Sequence, residues 1–280
     1  MTDHPTPDRS EPKLAPKWHG AAYAANTAHH RRYDDDFLAA TPLRPGIDLV
    51  DLGCGSGDFT RRLADLVAPG TVLGVDPSSE LLDHARRGAA ANQDFLIGTA
   101  QRLDELVGDR KFGGVISRAA LHWVPDEDQA RVIRNTRSIL EPGGWLRIEM
   151  GGAGNIAAVV DLLNRISAEL DGPVDPWCFP DPGRVLGWVE DAGFELATGW
   201  VRSVAQRRTF DRSGLIGWLE SQVLNAYHPG LPGSAREEFS ARALGSIDRL
   251  RRSDGSYDQT FVRVDLLAWR SDSEHRVDRE

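Results

Sequence analysis

The chain reads as an α/β protein, a doubly wound sheet of mostly parallel strands covered by helices on both faces. Three observations carry that reading. A glycine-rich run, Val50 to Thr60 (VDLGCGSGDFT), has the form of a buried strand entering a tight turn and then a helix. A second short β-branched run, Thr71 to Ser78 (TVLGVDPS), ends in an acid and a proline. From there strand and helix patterns alternate for about a hundred residues, as a parallel sheet with crossover helices requires.

Strands are expected near Ile47 to Leu52, Val72 to Asp76, Asp94 to Gly98, Gly113 to Ser117 and Trp145 to Met150. Helices are expected between them, near Gly57 to Val67, Ser79 to Ala91, Ala100 to Val107 and Glu127 to Leu140, the last stopped by the turn EPGG at Glu141 to Gly144. A sixth strand is expected near Glu195 to Arg208 and a seventh near Thr260 to Trp269. Two insertions interrupt the pattern, Gly151 to Asp181 and a helical one at Asp211 to Asp258, and an N-terminal helix is expected around Trp18 to Leu38.

At 280 residues and 40% hydrophobic, the chain can bury a substantial core. It is acidic, with net charge −9, and although only three of its 33 basic residues are lysine, the arginines form no basic stripe. Nucleic acid is therefore an unfavoured partner. There is no apolar run long enough to span a membrane and no signal-peptide core, so a cytoplasmic protein without membrane attachment is expected. Cys54 and Cys178 are the only cysteines and have no metal-ligand spacing; the His29-His30 pair points to different helix faces, and no metal is expected.

Gly53, Gly55 and Gly57 alternate at a spacing of two, which lets backbone approach a ligand without an intervening Cβ. A dinucleotide fingerprint would need its third glycine at the position of Asp58. Asp51 and Asp58 flank the turn with carboxylates, which suit a cationic ligand better than a pyrophosphate. Asp76, 25 residues after Asp51, stands where an acid at the end of a second strand accepts ribose hydroxyls.

From Asp51 to Gly57 the chain resembles the class I methyltransferases that use S-adenosylmethionine, whose first motif is (D/E)-x-G-x-G-x-G. After the fourth strand, ALHWVPD (Ala120 to Asp126) is similar to small-molecule members of that group such as the trans-aconitate, malonyl-carrier-protein and juvenile hormone acid methyltransferases. The later EMGGAGN (Glu149 to Asn155) and Asp175 to Glu195 resemble further stretches of the same group, with Cys178 replacing an aromatic.

The resemblance implies a Rossmann-like, doubly wound seven-stranded sheet with one antiparallel strand and helical lid insertions. In segments, it implies a disordered tail at 1–16, an N-terminal lid helix and cofactor-binding core at 17–150, and a lid insertion at 151–181. Core at 182–210, a helical lid insertion at 211–258, a last core strand at 259–270 and a tail at 271–280 complete it. The implied cofactor is S-adenosyl-L-methionine, released as S-adenosyl-L-homocysteine. Its expected contacts are Asp51, Gly53, Cys54, Gly55, Gly57, Asp76, Pro77, Thr99, Ala100, Gln101 and Arg118, with Tyr23, Asn26 and His30 from one face of the first helix. Thr99 departs from the family, which often has an acid there for the adenine amino group; Gln101, a backbone carbonyl or a plain helix cap by Thr99 are the alternatives.

His122 is a candidate general base or substrate-orienting residue, or else a histidine that holds the loop by hydrogen bonding, and Glu149 a proton acceptor or a helix cap. Trp18, Tyr23, His122, Trp123, Trp177, Phe179, Trp218 and Tyr227 are candidate substrate walls. They favour an aromatic or apolar acceptor of secondary metabolism, methylated on carbon, nitrogen or oxygen, over a carboxylate clamped by Arg184, Arg202, Arg207 or Arg208. The expected partner is a small-molecule substrate, for a monomer or homodimer. A nicotinamide-dependent oxidoreductase and a non-catalytic S-adenosylmethionine-binding protein are the rival readings.

Overall fold

In the computed structural model, residues 31–271 are described, with side chains from Asp34 onward. The expected contacts Trp18, Tyr23, Asn26 and His30 lie outside the described residues.

Among the described residues, seven strands form one sheet in the order β3-β2-β1-β4-β5-β7-β6. They are β1 (Leu49–Leu52), β2 (Val72–Asp76), β3 (Gln93–Ile97), β4 (Phe112–Arg118), β5 (Leu140–Gly151), β6 (Phe194–Phe210) and β7 (Tyr257–Arg270). The pairs among the first five are parallel, and β7 runs antiparallel to both β5 and β6. The turn Glu141 to Gly144 forms an irregularity between Leu140, opposite Phe112, and Trp145, opposite Gly114. The long edge strand β6 carries a similar break between Glu195 and Trp200.

The helices are α1 (Arg31–Ala39), α2 (Asp58–Val67), α3 (Ser79–Arg87), α4 (Leu103–Val107), α5 (Asp126–Ile139), α6 (Ala157–Ala168), α7 (Pro182–Asp191), α8 (Arg212–Trp218) and α9 (Ala235–Ser246). Local chemistry sets several starts. Ser78 Oγ accepts from Leu81 N at 3.3 Å to cap α3, and the Asp181 carboxylate accepts from Arg184 N at 2.9 Å just before Pro182 opens α7. The helix expected over 100–107 divides into a 3₁₀ turn, Ala100–Arg102, followed by α4.

One sheet face packs α4, α5 and α7 through Leu103, Val132, Ile133, Val185 and Val189. The other packs α1 and α2 through Phe37, Leu38, Leu63 and Val67. That second face also holds a buried ion pair, Arg147 with Asp265 across β5 and β7. Asp265 further accepts from Trp200 Nε1 at 3.0 Å and Arg202 Nε at 2.9 Å, and Phe37 lies over the Arg147 guanidinium at 4.0 Å. Additional hydrogen bonds of this kind are what make a buried charge pair tolerable.

Segments 152–181 and 211–256 pack together above the carboxyl ends of the parallel strands. They share a hydrophobic core of their own, including Val159, Leu163, Leu215, Tyr227, Phe239 and Ile247. No described helix is long and apolar enough to cross a membrane.

Candidate active site

In an open parallel sheet, ligands bind outside the strand ends where neighbouring strands wind in opposite directions, here between β1 and β4. Ser117 Oγ ties the two ends together by donating to Leu52 O at 2.8 Å.

The three motif glycines all have positive φ (82°, 54° and 77°) but do different work. A Cβ on Gly53 would come within 2.2 Å of Ala120 Cβ, and one on Gly57 within 2.8 Å of Ala85 Cβ. These two let the turn pack against the β4 loop and α3. A Cβ on Gly55 would meet nothing within 4 Å, so it would project into open space. Gly55 N donates to Asp76 Oδ2 at 2.9 Å and Ser78 N to Asp76 Oδ1 at 2.9 Å, which fixes that carboxylate at the rim of the same space. A bare backbone surface beside an oriented, buried acid fits the adenosine part of S-adenosylmethionine.

Asp51 is buried at the end of β1, and Thr60 Oγ1 donates to it at 2.6 Å. Burial pushes its carboxyl up to about 7, Thr60 pulls it down and the Asp76 charge adds to the rise. Burial also raises Asp76, against the two backbone bonds that lower it. Asp58 turns outward to Arg61, so its charge is compensated there and the negative field of the turn comes from Asp51 and Asp76. Cys54 packs inward with Leu82, Ala85 and Phe95, its thiol pushed up by burial, so only its backbone borders the cradle. Pro77 is exposed beyond Asp76.

At the end of β3, Thr99 makes no side-chain cap. Gln101 Nε2 donates to Asp128 Oδ2 at 3.1 Å, which brings an α5 carboxylate to the edge where the family's acid is missing. Arg118 is buried among Asp34, Glu149 and the rings of Phe37 and Phe59, so its charge is engaged by α1 and β5. Glu149 caps no helix: its Oε1 lies 3.4 Å from Arg118 Nε.

Next to the cradle, a cavity of about 60 Å³ is bounded by Ala119, His122, Trp123, Asn155, Ile156, Trp177, Phe179, Trp218, Gln222, Val223, Phe261 and Arg263. Two lining residues that are not glycine, Ala119 and Ile156, have φ of 52° and 46°, strain of the sort that concentrates at functional sites. Trp218, Gln222 and Val223 reach the cavity where α8 continues into a π-helical turn, Leu219–Val223. Trp177 and Phe179 stack with centroids 5.5 Å apart.

His122 Nδ1 accepts the Gly151 N–H at 3.2 Å. Burial and the nearby Arg263 guanidinium push the ring down to about 3, so it is neutral with its proton on Nε2. A ring in that state donates from Nε2, while its Nδ1 lone pair is engaged by the Gly151 N–H. This hydrogen bond ties the loop after β4 to the end of β5.

The packing also places the other candidate residues. Tyr227 is fully buried away from the cavity, its hydroxyl donating to Asn164 Oδ1 at 2.8 Å. Cys178 faces Asp126, at 3.4 Å, and its thiol is pushed up to about 12 by burial and that neighbour. Arg184 pairs with Asp126, Arg202 with Asp265 and Arg207 with Asp258, while Arg208 lies over Phe210 and Phe261.

The arginine that does line the cavity is Arg263, which the sequence reading passed over because it sits inside an ordinary strand alternation. The glycine run explains its placement. A Cβ on Gly151 would strike Phe179 at 2.4 Å, and one on Gly152 would strike Val264 at 2.8 Å. Asn155 Oδ1 then accepts from Val262 N and from Arg263 Nη1, each at 3.0 Å.

A methyltransferase domain model matches residues 49–144. The trans-aconitate 2-methyltransferase of Deinococcus radiodurans is 38% identical over 243 residues, covering 84% of this chain and 91% of that protein. A putative methyltransferase from Bacillus halodurans has a solved structure with a TM-score of 0.59 at 17% identity, covering 85% of this chain and 98% of that one. The mycolic acid cyclopropane synthase CmaA1, solved in complex with SAH, gives a TM-score of 0.56 at 15% identity, with 85% and 83% covered. The fold and cradle are those of a Rossmann-like methyltransferase. This chain belongs to the class I S-adenosylmethionine-dependent methyltransferases, among the members that act on small molecules, and S-adenosylmethionine is its cofactor.

Proposed function

We propose that the enzyme methylates a carboxylate oxygen of a small organic acid, giving a methyl ester. The observation that carries this is the absence, among the described cavity-lining residues, of a group able to take a proton. His122 is neutral with Nδ1 committed to Gly151, Arg263 is a cation, and the nearby Glu149 carboxylate is paired with Arg118. Phenols and many other acceptors lose a proton on methylation, whereas a carboxylate arrives already ionised near neutral pH. The trans-aconitate 2-methyltransferase relative is named for an acid substrate, which supports the same reading.

In this proposal the backbone of Gly53 to Gly57 and the Asp76 carboxylate hold the adenosine part of the cofactor, with Thr99 to Gln101 at the adenine edge. Asp51 supplies negative potential toward its cationic end. When bound, S-adenosylmethionine supplies an electrophilic methyl group. The protein's own contribution is alignment and exclusion of water, for which the cavity is suited. His122 Nε2–H orients the acid, and Trp123, Trp177, Phe179 and Trp218 hold its body, which gives the aromatic walls a role with an acid acceptor.

The test uses donor labelled in the methyl group, offered with aliphatic and aromatic carboxylic acids and, separately, with indole and phenol. Label recovered as methanol after mild alkali is expected from the acids alone. Alkali-stable label on indole or phenol, with none on the acids, would overturn the proposal.

A further inference from the structure

Arg263 carries the one cationic side chain among the described residues lining the acceptor cavity. Burial depresses its guanidinium, the charge of Glu149 acts on it favourably, and Arg118 and Arg208 act unfavourably. No carboxylate among the described residues reaches ion-pair distance of it; what holds it is Asn155 Oδ1 at 3.0 Å, with the Phe261 ring 5.3 Å away. Burying a charge without a counter-ion is costly, and a fold that orients such a group so firmly leaves a place for an anion from outside. The same cavity presents the neutral His122 ring, whose Nε2–H is its remaining polar atom. Most of the other walls are aromatic (Trp123, Trp177, Phe179, Trp218 and Phe261), with Ile156, Val223 and the neutral amides of Asn155 and Gln222 between them.

We infer that Arg263 is the anchor for the acceptor's carboxylate and that the preferred acceptor is a monocarboxylic acid with a flat, unsaturated body. The inference rests on the carboxylate reading above and deepens it. One guanidinium neutralises one carboxylate, and a second carboxylate would be desolvated against indole and phenyl faces with no cation to meet it. One oxygen of the acid takes the Arg263 N–H while the other faces the methyl group. The O–CH₃ bond forms as the S–CH₃ bond breaks, the bonding pair stays on sulfur, and no proton moves. The carboxylate's charge is gone in the ester, so the product no longer compensates Arg263 and its affinity falls.

The test is calorimetry on the full chain saturated with S-adenosylhomocysteine, titrated with cinnamate, cinnamamide, methyl cinnamate and trans-aconitate. Cinnamate is expected to bind about tenfold or more tightly than each of the other three, the scale of one charge-assisted pair. Arg263→Gln is expected to remove the preference over the amide without lowering the melting temperature, since it deletes a buried charge with no ion-pair partner among the described residues, and Arg263→Lys to keep part of the preference. A purely structural arginine would give the opposite pattern, a lowered melting temperature with the preference intact. Equal binding of cinnamate and cinnamamide, no binding of cinnamate, or tightest binding of trans-aconitate would overturn the inference. Ester formation by Arg263→Gln at unchanged KM would remove the anchor yet leave carboxylate methylation standing. An alkali-stable product from the unaltered enzyme would remove carboxylate methylation itself.

Discussion

Gly53 and Gly55 stand two residues apart, both with positive φ, yet their replacement by valine should have different consequences. Gly55→Val has open space before its side chain and should lose S-adenosylmethionine binding at a stability cost of about 1 kcal/mol from its positive φ. Gly53→Val drives into Ala120 and should destabilise the protein more. Paired melting and binding measurements check the contrast, and similar melting losses in both variants would contradict it. Asp51 offers a second test. Its carboxyl, raised to about 7, is protonated below that value and charged above it. Affinity for the sulfonium-bearing donor should therefore rise as pH increases through about 7, more than affinity for S-adenosylhomocysteine, and Asp51→Asn should flatten the difference. Equal pH dependence for both ligands would show that Asp51 does not sense the sulfonium.

At the scale of elements, the antiparallel strand β7 links stability to the site. Its Asp265 satisfies Arg147, Arg202 and Trp200, while two residues earlier Arg263 enters the cavity. Asp265→Ala should cost about 3 to 5 kcal/mol, because it strands the buried Arg147 charge; denaturant unfolding that shows less than about 1 kcal/mol would deny the pair its role. The strand pattern itself was legible in the sequence. β1 is a short apolar run carrying Asp51 and β2 one ending in Asp76, and β7 alternates clearly. Boundaries shifted where backbone geometry decided them, as at Gly88, which ends α3 earlier than the apolar periodicity suggests. Side-chain direction was less legible. Nothing local distinguishes Arg263 from Arg207 or Arg208; the difference comes from Asn155, more than a hundred residues away, which captures one guanidinium and not the others. Tyr227 was misplaced for the same reason, since its partner Asn164 belongs to a helix remote in sequence.

For the whole molecule, the sheet and the helical layer above it have separate hydrophobic cores, with the cavity at their junction. Elements with their own core open as cooperative units. Hydrogen exchange should show residues 157–168 and 235–246 opening at lower free energy than β1 and β4, and gaining protection when S-adenosylhomocysteine and an acid acceptor bind together. Exchange of the layer in step with the central strands, unaffected by ligands, would deny it a closing role. In the proposed function this two-part construction divides the labour: β1, β2 and β4 frame the donor, while the helical layer and β7 supply the acceptor's walls.

In the proposed function, a methyl group moves without a proton moving. Single-turnover rates with donor and acid both saturating, followed from about pH 6 to about pH 9, test it most directly. A flat profile that His122→Gln lowers uniformly without changing its shape is expected. A rate that climbs about tenfold per pH unit to a plateau, with the slope lost in His122→Gln, would mean that His122 takes a proton in the reaction and would contradict it.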